Sequence, residues 1–421
     1  MCGAETGRRI LAIVRPFRAV RPRADAAARV AALPYDVFNR QEALAEVRKE
    51  PLSFLKIDRA ETQFSEDVAP DDSRVYERAG ETLREMIRDG VLIRESGDSY
   101  YIYELTGAGH TQTGIVACAA VDDYLGNVIK KHENTRADKE ADRINHVEAC
   151  RAQTGPIFLA YRSREAINRA VDRSKGEPPL YDFVAGDGVR HTVWKVKRQS
   201  EQDEIRAGFE QVPSVYIADG HHRAAAAVKL ALKRRKENPA YSGDEEFNFF
   251  LSVLFPHDQL RILPYNRVVR DLGGYSEEEF LRALTGAFEV KELGSAACQP
   301  REKATFGLYL GGVWYELRAG EGIRFSDPVE GLAVSLLQSH VLAPLLKITD
   351  VRTDRRIDFV GGIRGLPELE RRTRTDMKLA FSLYPTSLQE LFDVADAGQL
   401  MPPKSTWFEP KLRSGLFIHE I

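Results

Sequence analysis

Helical and strand-like spacings of apolar residues divide the chain into elements. Val75, Ala79, Leu83 and Ile87 fall at helical intervals over 73–89, and Gly90 ends that stripe, so an amphipathic helix is expected there. A shorter helix is predicted over 40–48, after an apolar strand at 10–14 and a turn at Pro34-Tyr35-Asp36-Val37. Strand signals follow at 91–93, 99–105 and 113–121. The last of these is nearly continuous in apolarity, which predicts burial on both faces and a mixed sheet. A Gly-Pro turn then enters a strand at 154–161, followed by a helix over 164–172, a strand at 191–196 and a helix over 200–210. Next come a strand at 212–218, a helix over 222–236 and a strand at 247–255, with 260–263 as its hairpin partner. From about 276 the pattern changes to a helix over 277–287, a hairpin over 304–317 turning at Gly311-Gly312, and a helix over 328–346. That alternation predicts a separate α+β subdomain.

The junction at 218–223 carries the strongest chemistry. Asp219 can cap the helix that follows, Gly220 lets a ligand approach the backbone, and the first-turn amides have no partner within the helix. Such an end attracts anions, and Arg223 supplies a planar fork suited to phosphate oxygens. Set against this is a capped helix whose first turn happens to be polar. His221 and His222 point about 100° apart on a helix, so both cannot fill one core face. Metal binding is the weakest reading, because adjacent histidines chelate one ion poorly and no Cys or His lies nearby at ligand spacing.

A second candidate region is 128–146, too densely charged for a core segment. Asp138 with Asp142, and Lys139 with Arg143, place like charges four residues apart on a helix, where they repel. A functional use is therefore favoured: carboxylates that hold magnesium through water, with Lys130, Lys131 and Arg136 meeting phosphate. His257 and Asp258 follow a strand end, where a site or an ordinary turn would each account for them. The tail over 402–412 combines Pro402, Pro403, Lys404, Trp407, Phe408 and Lys411 in one stiff, aromatic stretch, which is costly if it is only solvated.

Length and composition narrow the classes. A chain of 421 residues exceeds one ordinary core, so two or three subdomains are expected. Its 43% hydrophobic and 29% charged content suits a globular protein. A formal charge of -3 argues against a dedicated nucleic-acid binder. Lys233-Arg234-Arg235-Lys236 reads as a helix C-terminal turn, where cations complement the dipole. No signal segment or membrane-length apolar stretch is evident, so a cytoplasmic location and no membrane partner are expected. Cys2, Cys118, Cys150 and Cys298 lie far apart and form no zinc or CxxC pattern, which fits a reducing compartment.

The box Asp219-Gly220-His221-His222-Arg223 resembles the phosphate-binding box of the ParB/sulfiredoxin superfamily, in the form found in free serine kinases. Nearly the whole chain from Arg15 resembles a bacterial family known as domain of unknown function 1015. The stretches that carry this are Arg15-Pro16-Phe17-Arg18-Ala19, Pro34-Tyr35-Asp36-Val37, Pro51-Leu52-Ser53-Phe54-Leu55, Lys131-His132-Glu133-Asn134-Thr135-Arg136, Leu254-Phe255-Pro256 and Met401-Pro402-Pro403-Lys404-Ser405-Thr406, with the box. The resemblance implies an α+β (mixed α/β) fold: a ParB/sulfiredoxin-like nucleotide-binding core over 126–272, an N-terminal α/β part over 1–125, and a C-terminal α+β subdomain over 273–421. In such a fold the segment after the first strand faces the nucleotide, which makes Arg18, Tyr35 and Asp36 candidates for site closure. Lys404 and Lys411 are candidates to reach the site from the tail.

What the resemblance implies is phosphoryl transfer from ATP or ADP, with Mg2+, to a hydroxyl of a small-molecule substrate, free L-serine in the first instance. Asp219, Gly220, His221, His222 and Arg223 would hold phosphate with Lys131, Arg136 and Arg18; Glu133 would be the base, with Glu140 its rival; Asp138 and Asp142 would help with the metal. Sulfiredoxin chemistry is disfavoured because its nucleophilic cysteine would stand where this chain has His221. The alternatives are a ParB-like nucleotide-gated clamp, for which no helix-turn-helix or basic surface is seen, and a nucleotide-binding regulator without turnover. A homodimer is left open.

Overall fold

The structure, a computed structural model, describes residues 11–320 and 327–421. Cys2 and the start of the expected 10–14 strand lie outside them. The fold is mixed α+β, and the chain divides into two compact units. The first gathers Met1–Lys130, Thr135–Leu260 and Pro410–Ile421; the second is Lys131–Asn134 with Arg261–Glu409. Among the described residues, no helix is long and apolar enough to cross a membrane.

The first unit is built on a nine-stranded sheet. Its strands and the two helices that matter here are, in chain order, β1 (Val14–Arg15), β2 (Tyr101–Gly107), β3 (His110–Ala120), β4 (Ile129–Lys130), α1 (Ala137–Cys150), β5 (Ile157–Tyr161), β6 (Tyr181–Val184), β7 (Arg190–Lys195), β8 (Val215–Asp219), α2 (His221–Glu237) and β9 (Phe249–Pro256). The sheet order is β4-β8-β5-β9-β3-β2-β7-β6, with β1 also on β3. β9 is buried along its whole length, running parallel to β5 and antiparallel to β3. A strand covered on both faces needs such an uninterrupted apolar run. Gly114 in β3 is there for contact: a Cβ would come within 2.7 Å of Val253 and 2.8 Å of the Phe255 ring.

This sheet does not respect the expected boundary at 125/126. β1, β2 and β3, which belong to the proposed N-terminal part, are hydrogen-bonded into the same sheet as β5, β8 and β9. Sheet pairing is decided by strands distant in sequence, so a change of texture along the chain does not mark it. The N-terminal helices, among them Arg40–Lys49 and Ser73–Arg88, instead make a second apolar cluster in the same unit. A small sheet there pairs Ala19–Pro22 with Leu92–Arg94 and with Ile418–Glu420, which in turn pairs Ala152–Gln153. The residues from Pro410 onward therefore belong to the first unit. Ser414 exchanges both backbone hydrogen bonds with Ala32, at 2.8 and 3.2 Å.

Two further expectations are corrected. Ile262–Leu263 is no hairpin partner of β9; it pairs with Trp407–Phe408, in the second unit. β6 was not anticipated, being a four-residue edge strand with alternating exposure.

The second unit contains a six-stranded antiparallel sheet in the order Phe288–Gly294, Val313–Ala319, Thr305–Leu310, Leu379–Leu383, Tyr265–Val269, Ile357–Gly361. The hairpin at Gly311-Gly312 is as expected, with φ of 59° and 86°, the left-handed pair of a two-residue turn that suits strand twist. The helix expected over 328–346 is instead Ala333–Leu337 running into a π-turn at Gln338–Leu342.

Candidate functional site

β8 is buried up to Ala218 and is held by β4 on one side and β5 on the other. A bulge between Ile217 and Asp219 re-aims its last residue. The chain then turns at Gly220, whose φ of 96° favours glycine over any residue with a Cβ. α2 begins at His221. Its buried Ala224, Ala225, Ala226 and Ala227 carry no bulk, so the helix packs closely, with α1 among its neighbours.

Gly220, not Asp219, is the N-cap, and no side chain caps this helix end. Asp219 is drawn elsewhere. Its carboxylate accepts from Lys411 Nζ at 3.3 Å and lies 3.9 Å from Arg223 Nη2. Burial opposes its ionisation, but Lys411 and then Arg223 outweigh burial and hold the carboxyl below the usual carboxylate range. Lys411 thus meets Asp219 of the box from 192 residues away.

Arg223 lies folded over the turn. A Cβ on Gly220 would stand 3.0–3.1 Å from its guanidinium, and its Nη1 donates to the carbonyl of Pro156. The fork expected to reach for phosphate is therefore partly engaged, bracing the box against β5. Arg223 also lines a pocket with Pro34, Tyr35, Asp58, Arg143, Thr154 and others, about 500 Å³ counting the open mouth. Arg143 is buried there with its guanidinium 4.0 Å over the Tyr35 ring. Although burial works against its charge, Tyr35, Asp142 and Asp58 keep it firmly protonated. Asp58, itself buried, accepts from Thr154 at 2.9 Å. Sequence reading missed Asp58, Arg143 and Thr154 as pocket residues, because nothing local sets them apart.

His221 is buried. His222 Nε2 accepts the backbone N–H of Arg136 at 3.1 Å, which ties the start of α2 to the start of α1. Burial lowers its pKa and Arg136 adds to this, against the charges of Glu140 and Asp36, so the neutral ring is the form that can accept this bond. Asp36 is exposed beside it.

The charged face of α1 is neutralised pair by pair. Asp138 is bound in a fork by Arg136 at 2.8 and 3.1 Å, and Asp142 takes Arg143 at 2.8 Å and the Tyr76 hydroxyl at 2.9 Å. Glu140 is buried and accepts from Thr135 and Lys229. The repulsion inferred between Asp138 and Asp142 is thus relieved by Arg136 and Arg143, with the Tyr76 hydroxyl from another helix, and it no longer argues for function. Asp138 and Asp142 each already accept from an arginine, so a magnesium ion there would have to share or displace those bonds.

Arg18 is exposed and lies 3.9 Å from Asp98; it is not among the residues lining the pocket. Lys131 and Glu133 belong to the second unit with His132, whose carbonyl accepts the N–H of Met401 at 2.8 Å. Lys404 is also in the second unit, with its Nζ 5.7 Å from the Tyr265 ring centroid. His257 accepts from the N–H of Ser163 at 3.2 Å through Nδ1, a turn-fixing bond.

The sequence profile described as "Protein of unknown function (DUF1015)" matches residues 14–339. The chain belongs to the DUF1015 family. No curated protein matches it. Among solved structures, this DUF1015 protein is similar to a free serine kinase in complex with AMP, at 14% identity and a TM-score of 0.35, covering 72% of this chain and 91% of that one. It is also similar to SbnI with a C-terminal truncation from Staphylococcus aureus, at 12% identity and a TM-score of 0.38, covering 72% and 86%. A conserved hypothetical protein from Pyrococcus furiosus aligns at 14% identity and a TM-score of 0.33, over 72% and 94%.

Proposed function

We propose that this protein binds the phosphates of ATP or ADP at the amino end of α2 and transfers phosphoryl to a hydroxyl of a small molecule, free L-serine being the first acceptor to try. The observation that supports this best is local. An uncapped helix start and a glycine at φ 96° stand beside Arg223, and Arg223 lines a pocket that also contains the buried cation Arg143. First-turn amides and two guanidinium groups offer anions a charge-complementary surface.

In this reading the amides of His221 and His222 and the free edge of Arg223 take phosphate oxygens, while His222 keeps Arg136 beside them. The base that the sequence resemblance implies is Glu133, which would receive the hydroxyl proton as the acceptor oxygen bonds to phosphorus and the bond from that phosphorus to the nucleotide's bridging oxygen breaks. The chemistry a magnesium ion supplies is charge neutralisation on the phosphates.

Nucleotide consumption by the purified protein, measured with and without free serine, tests the reading. Serine-dependent turnover supports it. Nucleotide binding in calorimetry without turnover on any hydroxyl acceptor would leave a nucleotide-binding regulator, and the absence of binding would remove both.

A further inference from the structure

The second unit contains a cation that the nucleotide reading does not use. Arg267 lies in the strand Tyr265–Val269, between Ile357–Gly361 and Leu379–Leu383, and is only 3% exposed. A buried guanidinium ordinarily has a carboxylate beside it. Among the described residues, none pairs with this one. Its hydrogen bonds go to carbonyls, from Nη1 to Tyr265 and from Nη2 to Pro403 at 3.4 Å, a long contact, and it stands 5.1 Å over the Phe359 ring. Burial lowers its pKa to about 10, with the Tyr265 hydroxyl opposing. The positive charge is thus retained at neutral pH and poorly offset.

A second cation stands next to it. Lys404 follows Pro403 directly, and its Nζ lies over the same Tyr265 whose carbonyl holds Arg267. No carboxylate among the described residues pairs with Lys404 either. Its backbone φ is 60°, a left-handed conformation that a lysine adopts at a cost and that clusters at ligand-binding positions. The loop is well built around this strain. The Ser405 hydroxyl donates to Pro402 at 2.6 Å, and the Thr386 hydroxyl donates to Ser405 at 3.0 Å. The Trp407 ring packs edge-on against Tyr265 and fills the space that a side chain on Gly361 would need.

We propose that Arg267 and Lys404, joined through Tyr265 and the Pro402–Thr406 loop, form a binding site for an oxyanion, the phosphate or carboxylate group of a small molecule. The anion supplies the charge that the protein leaves out. Lys404 meets it from the exposed side, and Arg267 anchors it from the sheet once Nη2 gives up the long bond to Pro403. A merely structural Arg267, stacked on Phe359 and bonded to carbonyls, gives no reason for a strained lysine beside it.

The test is a thermal-unfolding titration of the full chain with sodium phosphate and, separately, sodium malonate, at ionic strength held constant with sodium chloride. It is run in an Arg223→Ala background, so that the box contributes less. A saturable rise in Tm is expected with at least one anion; phosphate alone points to a phosphorylated ligand and malonate alone to a carboxylate. Adding Lys404→Ala should weaken the apparent affinity by about tenfold or more, the effect of removing one charged hydrogen bond. Arg267→Met should abolish the response; if that variant does not fold, Lys404→Ala, at an exposed position, decides alone. No saturable response, or an unchanged midpoint in Lys404→Ala, overturns the proposal. Nucleotide affinity of wild type against Arg223→Ala, measured separately, tests the box, so the two ideas fail independently.

Discussion

Replacing Gly220 by alanine tests both the geometry of the box and its assignment. At φ 96° an alanine pays the left-handed penalty, about 1–2 kcal/mol. Its Cβ would also stand 3.0–3.1 Å from the Arg223 guanidinium, so that flexible side chain must shift by a few tenths of an ångström. The shift strains the bond from Nη1 to Pro156, and losing a charged hydrogen bond outright is worth about 1.5–3 kcal/mol. Backbone strain together with partial loss of that bond predicts destabilisation of about 2–4 kcal/mol in urea unfolding at pH 7. Gly220→Asn separates the two contributions, because asparagine tolerates the left-handed region but brings the same Cβ; it should be less destabilised, by about 1 kcal/mol. If the box holds phosphate, both variants should bind nucleotide about tenfold more weakly in calorimetry. Unchanged stability in Gly220→Ala would refute the turn geometry. Lost stability with intact nucleotide affinity would refute the phosphate assignment while leaving the fold argument standing.

Three other expectations concern separate groups. Glu133→Gln preserves shape but cannot take a proton, so turnover should fall by about 10²–10⁴-fold with nucleotide affinity nearly unmoved; a fully active variant sends the search to Glu140. Lys411→Met removes the nearer cation from Asp219 and should cost about 1–2 kcal/mol in urea unfolding, whereas no change would mean the pair is solvent-screened. His191 is buried in the first unit, its Nδ1 bonded to the Tyr103 hydroxyl at 2.8 Å, and burial, helped by Arg413, lowers its pKa to about 3. Its unfolded pKa is near 6.5, so this contribution is complete above that pH and is lost as pH falls toward 3. Between pH 7.5 and 4.5 wild type should lose about 2–3 kcal/mol that a folded His191→Gln variant does not lose, and parallel pH profiles would contradict it.

Local features were legible where local physics decides them. The strand and helix flanking Gly220 follow from an apolar run, a glycine and four alanines, and both ends were read to within about three residues. The helix Ser73–Arg88 and the Gly311-Gly312 hairpin were legible for the same reason. What could not be read depends on partners far along the chain. Nothing near Ile262 says that it pairs with Phe408, and nothing near Asp122 says that Arg235 approaches its carboxylate. The carboxylates of α1 looked mutually repulsive because spacing alone does not show Arg136 folded onto Asp138 and Arg143 onto Asp142, nor the bonds that Tyr76 and Lys229 bring from other elements. Asp219 looked like a cap because Asp before a helix usually is one; the glycine turn and Lys411 redirect it. The tail lysines stand out by composition and by the family resemblance, and of the two only Lys411 lies in the unit that contains the box.

The bond from Lys411 to Asp219 also sets a timetable. A ribosome adds about 5–20 residues each second, so the lysine follows its aspartate, 192 positions earlier, by roughly 10–40 s. During that interval the entire Arg261–Glu409 segment is made, while the nascent first unit lacks both this ion pair and the strand Ile418–Glu420. A chain cut short by premature termination anywhere in that segment would present Asp219 without Lys411 and the small sheet with an open edge. Such fragments should be readily recognised by chaperones and proteases, so the residues from Pro410 onward report that the Arg261–Glu409 segment has been made.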